Sequence, residues 1–173
     1  MPSPLGHFLF GVTTHLATAS PRDVGWRTRT AVTVACALAP DLDLLGGLWG
    51  VRWHQRETHS IGAAVLAGLA VALASLLGGS ARWRSLGLAA FLGWMSHLAI
   101  DLLNVDTHPP IGIMALWPLS DAHFKFPWPI FMDIGRTLDW KTVRHDALAL
   151  AWEAALLCPL LVVIWRGRTG RGR

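Results

Sequence analysis

The stretch IGAAVLAGLAVALASLLGGSA, residues 61–81, carries no charged side chain over twenty-one positions. At about 1.5 Å per residue, a helix of that length covers the roughly 30 Å hydrocarbon core of a bilayer. A chain of 173 residues is the size of one ordinary domain, and a soluble domain of that size rarely buries so long an apolar helix. The stretch reads as a membrane segment. Composition agrees: 53% of the residues are hydrophobic and only 15% charged, against about 25% in soluble domains.

Four further apolar segments flank it, at about 5–20, 28–48, 86–104 and 147–165. The expected fold is all-α, a polytopic membrane bundle of about five helices. Residues 1–165 form one membrane-embedded domain, followed by a basic tail, RGRTGRGR, at 166–173. The tail suits a membrane surface better than a nucleic acid. A long Pro- and Trp-rich connection precedes the last helix, HPPIGIMALWPLSDAHFKFPWPIFMDIG at 108–135. Its prolines rule out a long regular helix, so it is expected to fold back over the helix ends. Trp117, Trp128 and Trp140 suit interfacial anchoring there. The N-terminal segment lacks a basic leader region and reads as a structural helix rather than a secretory signal. Cys36 and Cys158 lie within apolar segments and indicate neither a disulfide framework nor a thiolate site. Gly62, Gly68, Gly78 and Gly79 favour close helix packing.

Charge asymmetry orients the bundle. If all five segments cross, one face collects Arg22, Arg27, Arg29, Arg82, Arg84, Arg166, Arg168, Arg171 and Arg173 against Asp23 alone. The positive-inside tendency makes that face cytoplasmic, with the N-terminus out, the C-terminus in, and Trp26, Trp83 and Trp165 along the boundary. The expected location is the bacterial cytoplasmic (inner) membrane. In this arrangement His7, Asp41, Asp43, His54, His59, His97 and Asp101 all fall at the opposite, extracytoplasmic face. Scattered structural polar groups have no reason to gather in that way.

The stretch GWMSHLAIDLL, residues 93–103, carries the sharpest signal. On a helix, His97 and Asp101 are spaced i,i+4 and project from one face, so they can share a metal ion. Alone, such a pair more often forms a hydrogen bond between turns. In APDLDLL, Asp41 and Asp43 repel each other unless a cation or a helix N-terminus relieves them. In WHQRETHS, His54 and His59 bracket Arg56 and Glu57, and Thr58 or Ser60 can cap the next helix. Taken together these are nitrogen and oxygen ligands suited to zinc or another first-row divalent ion. Such an ion can lower the pKa of bound water towards 7 and provide a nucleophile. Arg56 is a candidate for holding an anionic substrate, and His54 for a ligand or a leaving-group acid.

The run of GHFLFG, LAPDLD, HQRETHS, LGWMSHLAIDLL and ALWPLS, in that order, resembles the YdjM family over about residues 5–130. These are bacterial inner-membrane proteins described as metal-dependent hydrolases. The family is in turn similar to zinc-dependent phospholipases C and single-strand nucleases. The resemblance implies that His59, His97 and Asp101 bind one zinc, completed by Asp41 or Asp43. His7 would hold a second ion with Asp101 as the bridge. His108 stands eleven residues after His97, where the phospholipases have a His at ten, and is carried over as a further ligand. Their later HxxxE is missing, since Ala149 follows His145 at the fourth position. A third site would need Asp133, Asp139 or Asp146. The family's commoner HRGxTHS reads HQRETHS here, with Gln55 in place of Arg and Arg56 in place of Gly.

Glu153 falls inside the last apolar segment, at a depth matching His15 of the first, and a buried contact between the two is expected. The functional expectation is a hydrolase of phosphoric esters with one or two divalent ions, most plausibly zinc. Membrane lipids are its surroundings, a lipid or small molecule its substrate, and no nucleic acid is expected. The competing class is non-catalytic: a membrane protein whose His/Asp metal cluster staples helix ends and serves partner binding or stress response.

Overall fold

A helix keeps its hydrogen-bond ladder only while each residue can donate, and Pro40 cannot, so the second apolar segment changes form there. In the computed structural model, which describes residues 1–19, 25–49, 54–107, 109–135 and 137–170, that segment divides in two. His108, and with it Arg22, Asp23, Arg171 and Arg173 of the charge pattern, lie outside the described residues. Helix α2 (Trp26–Leu38) passes into a 3-10 helix, Ala39–Trp49, in place of the single segment expected over 28–48. The 3-10 stretch carries Asp41 and Asp43 on a three-residue turn, so the two carboxylates point in different directions.

The remaining helices are α1 (Pro4–Thr18), α3 (Ile61–Leu77), α4 (Trp83–Leu102) and α5 (Trp140–Gly170). No strand forms among the described residues; two isolated bridges, Asn104 with Phe131 and Ile113 with Phe124, pin the Pro- and Trp-rich connection. Pro4 at the first turn of α1 costs no hydrogen bond, and the Ser3 hydroxyl accepts from Gly6 N at 3.1 Å. Ser60, rather than Thr58, caps α3 by accepting from Ala63 N at 3.0 Å. The α3–α4 turn passes through Gly79 at φ +74°, a conformation other residues adopt only under strain.

Helix α4 is the centre, packed against α1, α2 and α3. Close approach depends on small residues. A Cβ on Gly93 would sit 2.2 Å from the Thr33 carbonyl oxygen, and one on Gly87 2.8 Å from that of Gly68. Of the α3 glycines, Gly62 and Gly68 serve packing, whereas Gly78 and Gly79 end the helix. Helix α5 packs chiefly on α1.

Among the described residues, two helices, α4 and α5, are long and apolar enough to cross a membrane. Helices α1 and α2, with 15 and 13 residues, reach only about 20 Å. Both α3 and α5 turn large apolar side chains outward, among them Leu66, Leu69 and Leu73 on α3 and Leu148, Trp152 and Val163 on α5. Lipid, not water, suits such surfaces.

The last helix begins at Trp140, seven residues before the apolar run expected at 147. Its first turns are polar, and Asp139 caps them by accepting from Lys141 N and Thr142 N, each at 3.0 Å. This overturns the expected His15–Glu153 contact. Glu153 lies level with the N-terminus of α1, where its carboxylate accepts from Ser3 N at 2.7 Å and from the Ser3 hydroxyl. His15, near the other end of α1, bonds instead to the Thr30 hydroxyl at 2.9 Å.

The connection folds back over the helix ends that carry His97 and Asp101, as its prolines suggest. Ile113 and Ala115 pack with Leu98, and Phe131 packs with Ile100 and Leu157. At the opposite end, the guanidinium of Arg82 lies against Gly25, and Arg168 donates to the Ala17 carbonyl. Arg27, Arg29, Arg82, Arg84, Arg166 and Arg168 thus belong to one end of the bundle.

Candidate metal centre

Four elements deliver the polar residues to the other end. His7 comes from the second turn of α1, Asp41 and Asp43 from the 3-10 helix, His54 and His59 from the loop before α3, and His97 and Asp101 from the last turns of α4. His7, His59 and His97 are fully buried and Asp101 nearly so.

Three of the four imidazoles, those of His97, His59 and His54, are oriented from behind. The Nδ1 of His97 donates to the Ala37 carbonyl at 2.8 Å, which leaves the Nε2 lone pair facing inward. Behind His59, Nδ1 lies 3.2 Å from Asp43 Oδ2, and the Thr58 hydroxyl donates to the same oxygen at 2.6 Å. His54 Nδ1 donates to the other Asp43 oxygen at 2.8 Å. The Trp94 indole in turn donates to the Thr58 carbonyl at 2.8 Å and fixes that loop against α4. A carboxylate behind a histidine whose other nitrogen faces a site is the usual outer support of a metal ligand.

This arrangement separates the roles of the two aspartates. Asp43 is spent on His54, His59 and Thr58. Asp41 faces the front of the histidines, with Oδ1 at 3.5 Å from both His59 Nε2 and His97 Nε2. Asp101 Oδ2 lies 3.4 Å from His59 Nε2 and 3.0 Å from His97 Nε2, and the two imidazole nitrogens are 3.1 Å apart. A tetrahedral zinc with bonds near 2.0–2.2 Å has ligands about 3.3–3.6 Å apart, close to most of these separations, so the four atoms could share one ion. The second oxygens of the same carboxylates turn to His7: its Nε2 is 3.5 Å from Asp101 Oδ1 and 3.8 Å from Asp41 Oδ2. The His7 and His97 rings stack at 3.8 Å.

The residues fit a metal because otherwise they fit badly. Both oxygens of Asp41, both of Asp101 and both ring nitrogens of His7 are shielded from water with no hydrogen-bond partner. Buried polar atoms are nearly always satisfied, and a cluster of six exceptions is one that could hold an ion. Electrostatics agrees. Burial alone would lower the His59 pKa, but the Asp41 and Asp43 carboxylates raise it to about 9 in the metal-free protein. Burial likewise favours a neutral Asp43, yet hydrogen bonds from His54, His59 and Thr58 hold its carboxyl well below the usual range.

The other singled-out residues lie elsewhere. The Arg56 guanidinium is half-exposed and 3.3 Å from Glu57. Gln55, where the family's commoner form has Arg, is buried and donates to Asp106 Oδ2 at 3.2 Å rather than facing the histidines. Asp133 contacts Thr107 and His145, and Asp146 accepts from Gly135 N at 2.8 Å, so both hold the connection to α5. Thr58, Trp94 and the Ala37 carbonyl went unnoticed as supports of the site. The adjacency of Thr58 to His59 and of Trp94 to the HxxxD pair is the only sequence signal for them.

A sequence profile for the YdjM inner membrane proteins matches residues 1–170. The chain belongs to the YdjM inner membrane protein family. It is therefore a membrane protein, and its two long apolar helices agree with that. The YdjM match includes all four elements that carry the buried His/Asp cluster, and α5. No curated protein and no solved structure matches the chain.

Proposed function

We propose that this YdjM-family chain is a metal-dependent hydrolase of phosphoesters, with its site on the extracytoplasmic side of the inner membrane. The observation that carries the reading is the pair of buried carboxylates, Asp41 and Asp101, whose four oxygens all turn to the ring nitrogens of His7, His59 and His97. His59 and His97 with one oxygen from each carboxylate would hold a first ion. His7 with the remaining oxygens would hold a second, with fewer protein ligands and so with room for substrate. Divalent ions in these positions supply Lewis acidity and activate water at neutral pH. The chain's own part is orientation: Asp43 and Thr58 steady His59, the Ala37 carbonyl steadies His97, and the N-terminus of α1 carries His7. His54 keeps a buried Nε2 with no partner beside Asp41 and His59, and is a candidate further ligand or, with both ring nitrogens protonated, the acid for the leaving group. The arginine-rich end, by the positive-inside tendency, faces the cytoplasm.

A second reading has its own support. His59, His97, Asp41 and Asp101 could saturate one ion, and a closed four-ligand site is the mark of a structural metal. In that case the cluster staples α4 to the 3-10 helix and the protein acts by binding.

Metal content of the purified full chain, measured beside Asp101→Asn with activity on phosphate and carboxylate esters, separates these readings. The hydrolase reading expects bound divalent ions, phosphoester turnover, and loss of both in the variant. Bound metal without turnover on any ester would support the structural reading. Unchanged metal in Asp101→Asn would defeat both.

A further inference from the structure

His7 is the exception among the four clustered imidazoles. His54, His59 and His97 each have a ring nitrogen engaged by an oxygen behind it, whereas neither nitrogen of His7 has a hydrogen-bond partner. Its ring stacks on that of His97 at 3.8 Å, a contact that leaves it free to slide. A metal ligand has to be held within about 0.5 Å of its productive position. The His7 ring must therefore be placed through its backbone.

That backbone is pinned from α5. His7 N donates to the Ser3 carbonyl at 3.1 Å, the bond that opens the ladder of α1. Glu153 in turn holds Ser3 twice: one carboxylate oxygen accepts from Ser3 N at 2.7 Å and the other from the Ser3 hydroxyl. The same hydroxyl accepts from Gly6 N at 3.1 Å. Ser3, His7 and Glu153 are all buried, so water does not compete for these bonds. One carboxylate from a distant helix thus fixes the turn that presents His7.

Packing alone does not account for a carboxylate at this position. The residues one turn away on α5, Ala149, Leu150, Leu156 and Leu157, are all apolar, and a buried charge among them is costly. The two Ser3 donors and the positive end of the α1 dipole offset that cost. Gly6 makes the room. A Cβ there would sit 2.8 Å from Glu153 Oε2 and 2.9 Å from its carboxyl carbon. The first turns of α1 thus carry a poor helix former beside His7, and the carboxylate is what occupies the space.

We propose that Glu153 is a positioning residue for the second ion, setting the place of His7 through Ser3. The proposal rests on the two-ion reading of the centre.

Equilibrium dialysis of zinc against the full chain in detergent tests it without turnover. Wild type should bind two ions. Glu153→Leu should weaken the second about 10–100-fold and leave the first unchanged, as loss of an outer support does. Gly6→Ala keeps Glu153 but pushes its carboxylate off Ser3, and should have the same effect. Glu153→Gln should restore most of the second ion's affinity, because its amide oxygen can accept from Ser3 N while its amide nitrogen donates to the Ser3 hydroxyl. Leu157→Ala is the packing control: it thins the contact of α5 with Leu9 and Phe10 and should leave both ions in place. A second ion held as tightly in Gly6→Ala as in wild type would overturn the proposal, even if Glu153→Leu failed to fold. Equal weakening in Leu157→Ala would also overturn it, by reducing Glu153 to packing. A wild type that takes up a single ion would instead remove the two-ion reading, and the proposal with it.

Discussion

The two ends of the bundle are both rich in charge, yet they differ in every physical respect that bears on function. At the arginine end, Arg27, Arg82, Arg84, Arg166 and Arg168 are largely exposed, and Arg84 lies over the Trp83 ring at 4.9 Å. Water, or the headgroups of a membrane, can solvate them. At the histidine end, His7, His59, His97 and Asp101 are buried, and their inward atoms lack partners. Exposed charge of one sign sets orientation. Buried, convergent polar atoms without hydrogen-bond partners can hold an ion.

Changes at the histidine end should therefore have far larger effects than changes at the arginine end. The largest is expected for Asp101→Asn, which removes the carboxylate between His7, His59 and His97. Turnover of a phosphoester should fall by at least about a hundredfold, beyond the range seen for loss of a supporting group. Activity at wild-type level would show that the cluster does no chemistry.

Next come the two aspartates, whose contrast sharpens the comparison within the site. Asp41→Asn should lower the number of ions bound at saturating zinc. Asp43→Asn should keep that number and weaken zinc affinity about 10–100-fold, because Asp43 acts only through His54 and His59. Equilibrium dialysis against a zinc indicator reads both, and the reverse pattern would exchange the two roles.

The raised pKa of His59 sets a pH dependence. Below about 9 the metal-free imidazole is protonated, and zinc must displace that proton. Apparent zinc affinity should rise by up to about tenfold per pH unit from pH 7 towards 9, then level off. The metal-free protein behaves in the opposite sense. The stabilisation from the His59–Asp43 and His59–Asp41 contacts is fully present below the unfolded value of 6.5 and fades as pH rises through about 9. A flat zinc affinity across this range would show that His59 is not a ligand.

A packing change shared by both ends should have a smaller effect. Gly93→Ala places a methyl against the Thr33 backbone and should cost about 1–3 kcal/mol in detergent unfolding. The smallest effect is expected for Arg84→Gln, within about 0.5 kcal/mol of wild type and with metal content unchanged. A large loss of metal on Arg84→Gln would join the two ends functionally and break the contrast drawn between them.

Much of this was readable in the sequence, and the exceptions have physical causes. Helices with a continuous apolar run were visible, and so was the convergence of His7, His59, His97 and Asp101, because HxxxD and the alternating helix directions constrain where those side chains lie. The roles of Asp41 and Asp43 were not separable, since they depend on Pro40 converting α2 into a 3-10 turn. The start of α5 was missed because its first turns are polar and rely on the Asp139 cap, and that error in turn misplaced Glu153 opposite His15. Among the described residues, two helices are long and apolar enough to cross a membrane; Pro40 helps end α2 at Leu38, and α3 has only 17 residues. The supports behind the histidines escaped notice because a backbone carbonyl such as Ala37 leaves no mark in a sequence.

The central claim, that buried histidines and aspartates form a two-ion centre, is tested most directly by X-ray absorption on the zinc-loaded full chain. Expected are nitrogen and oxygen neighbours at about 2.0–2.1 Å, imidazole scattering, and a second zinc about 3.5–4 Å away that disappears in His7→Ala. Sulfur neighbours, or zinc uptake that leaves no imidazole signature, would contradict it.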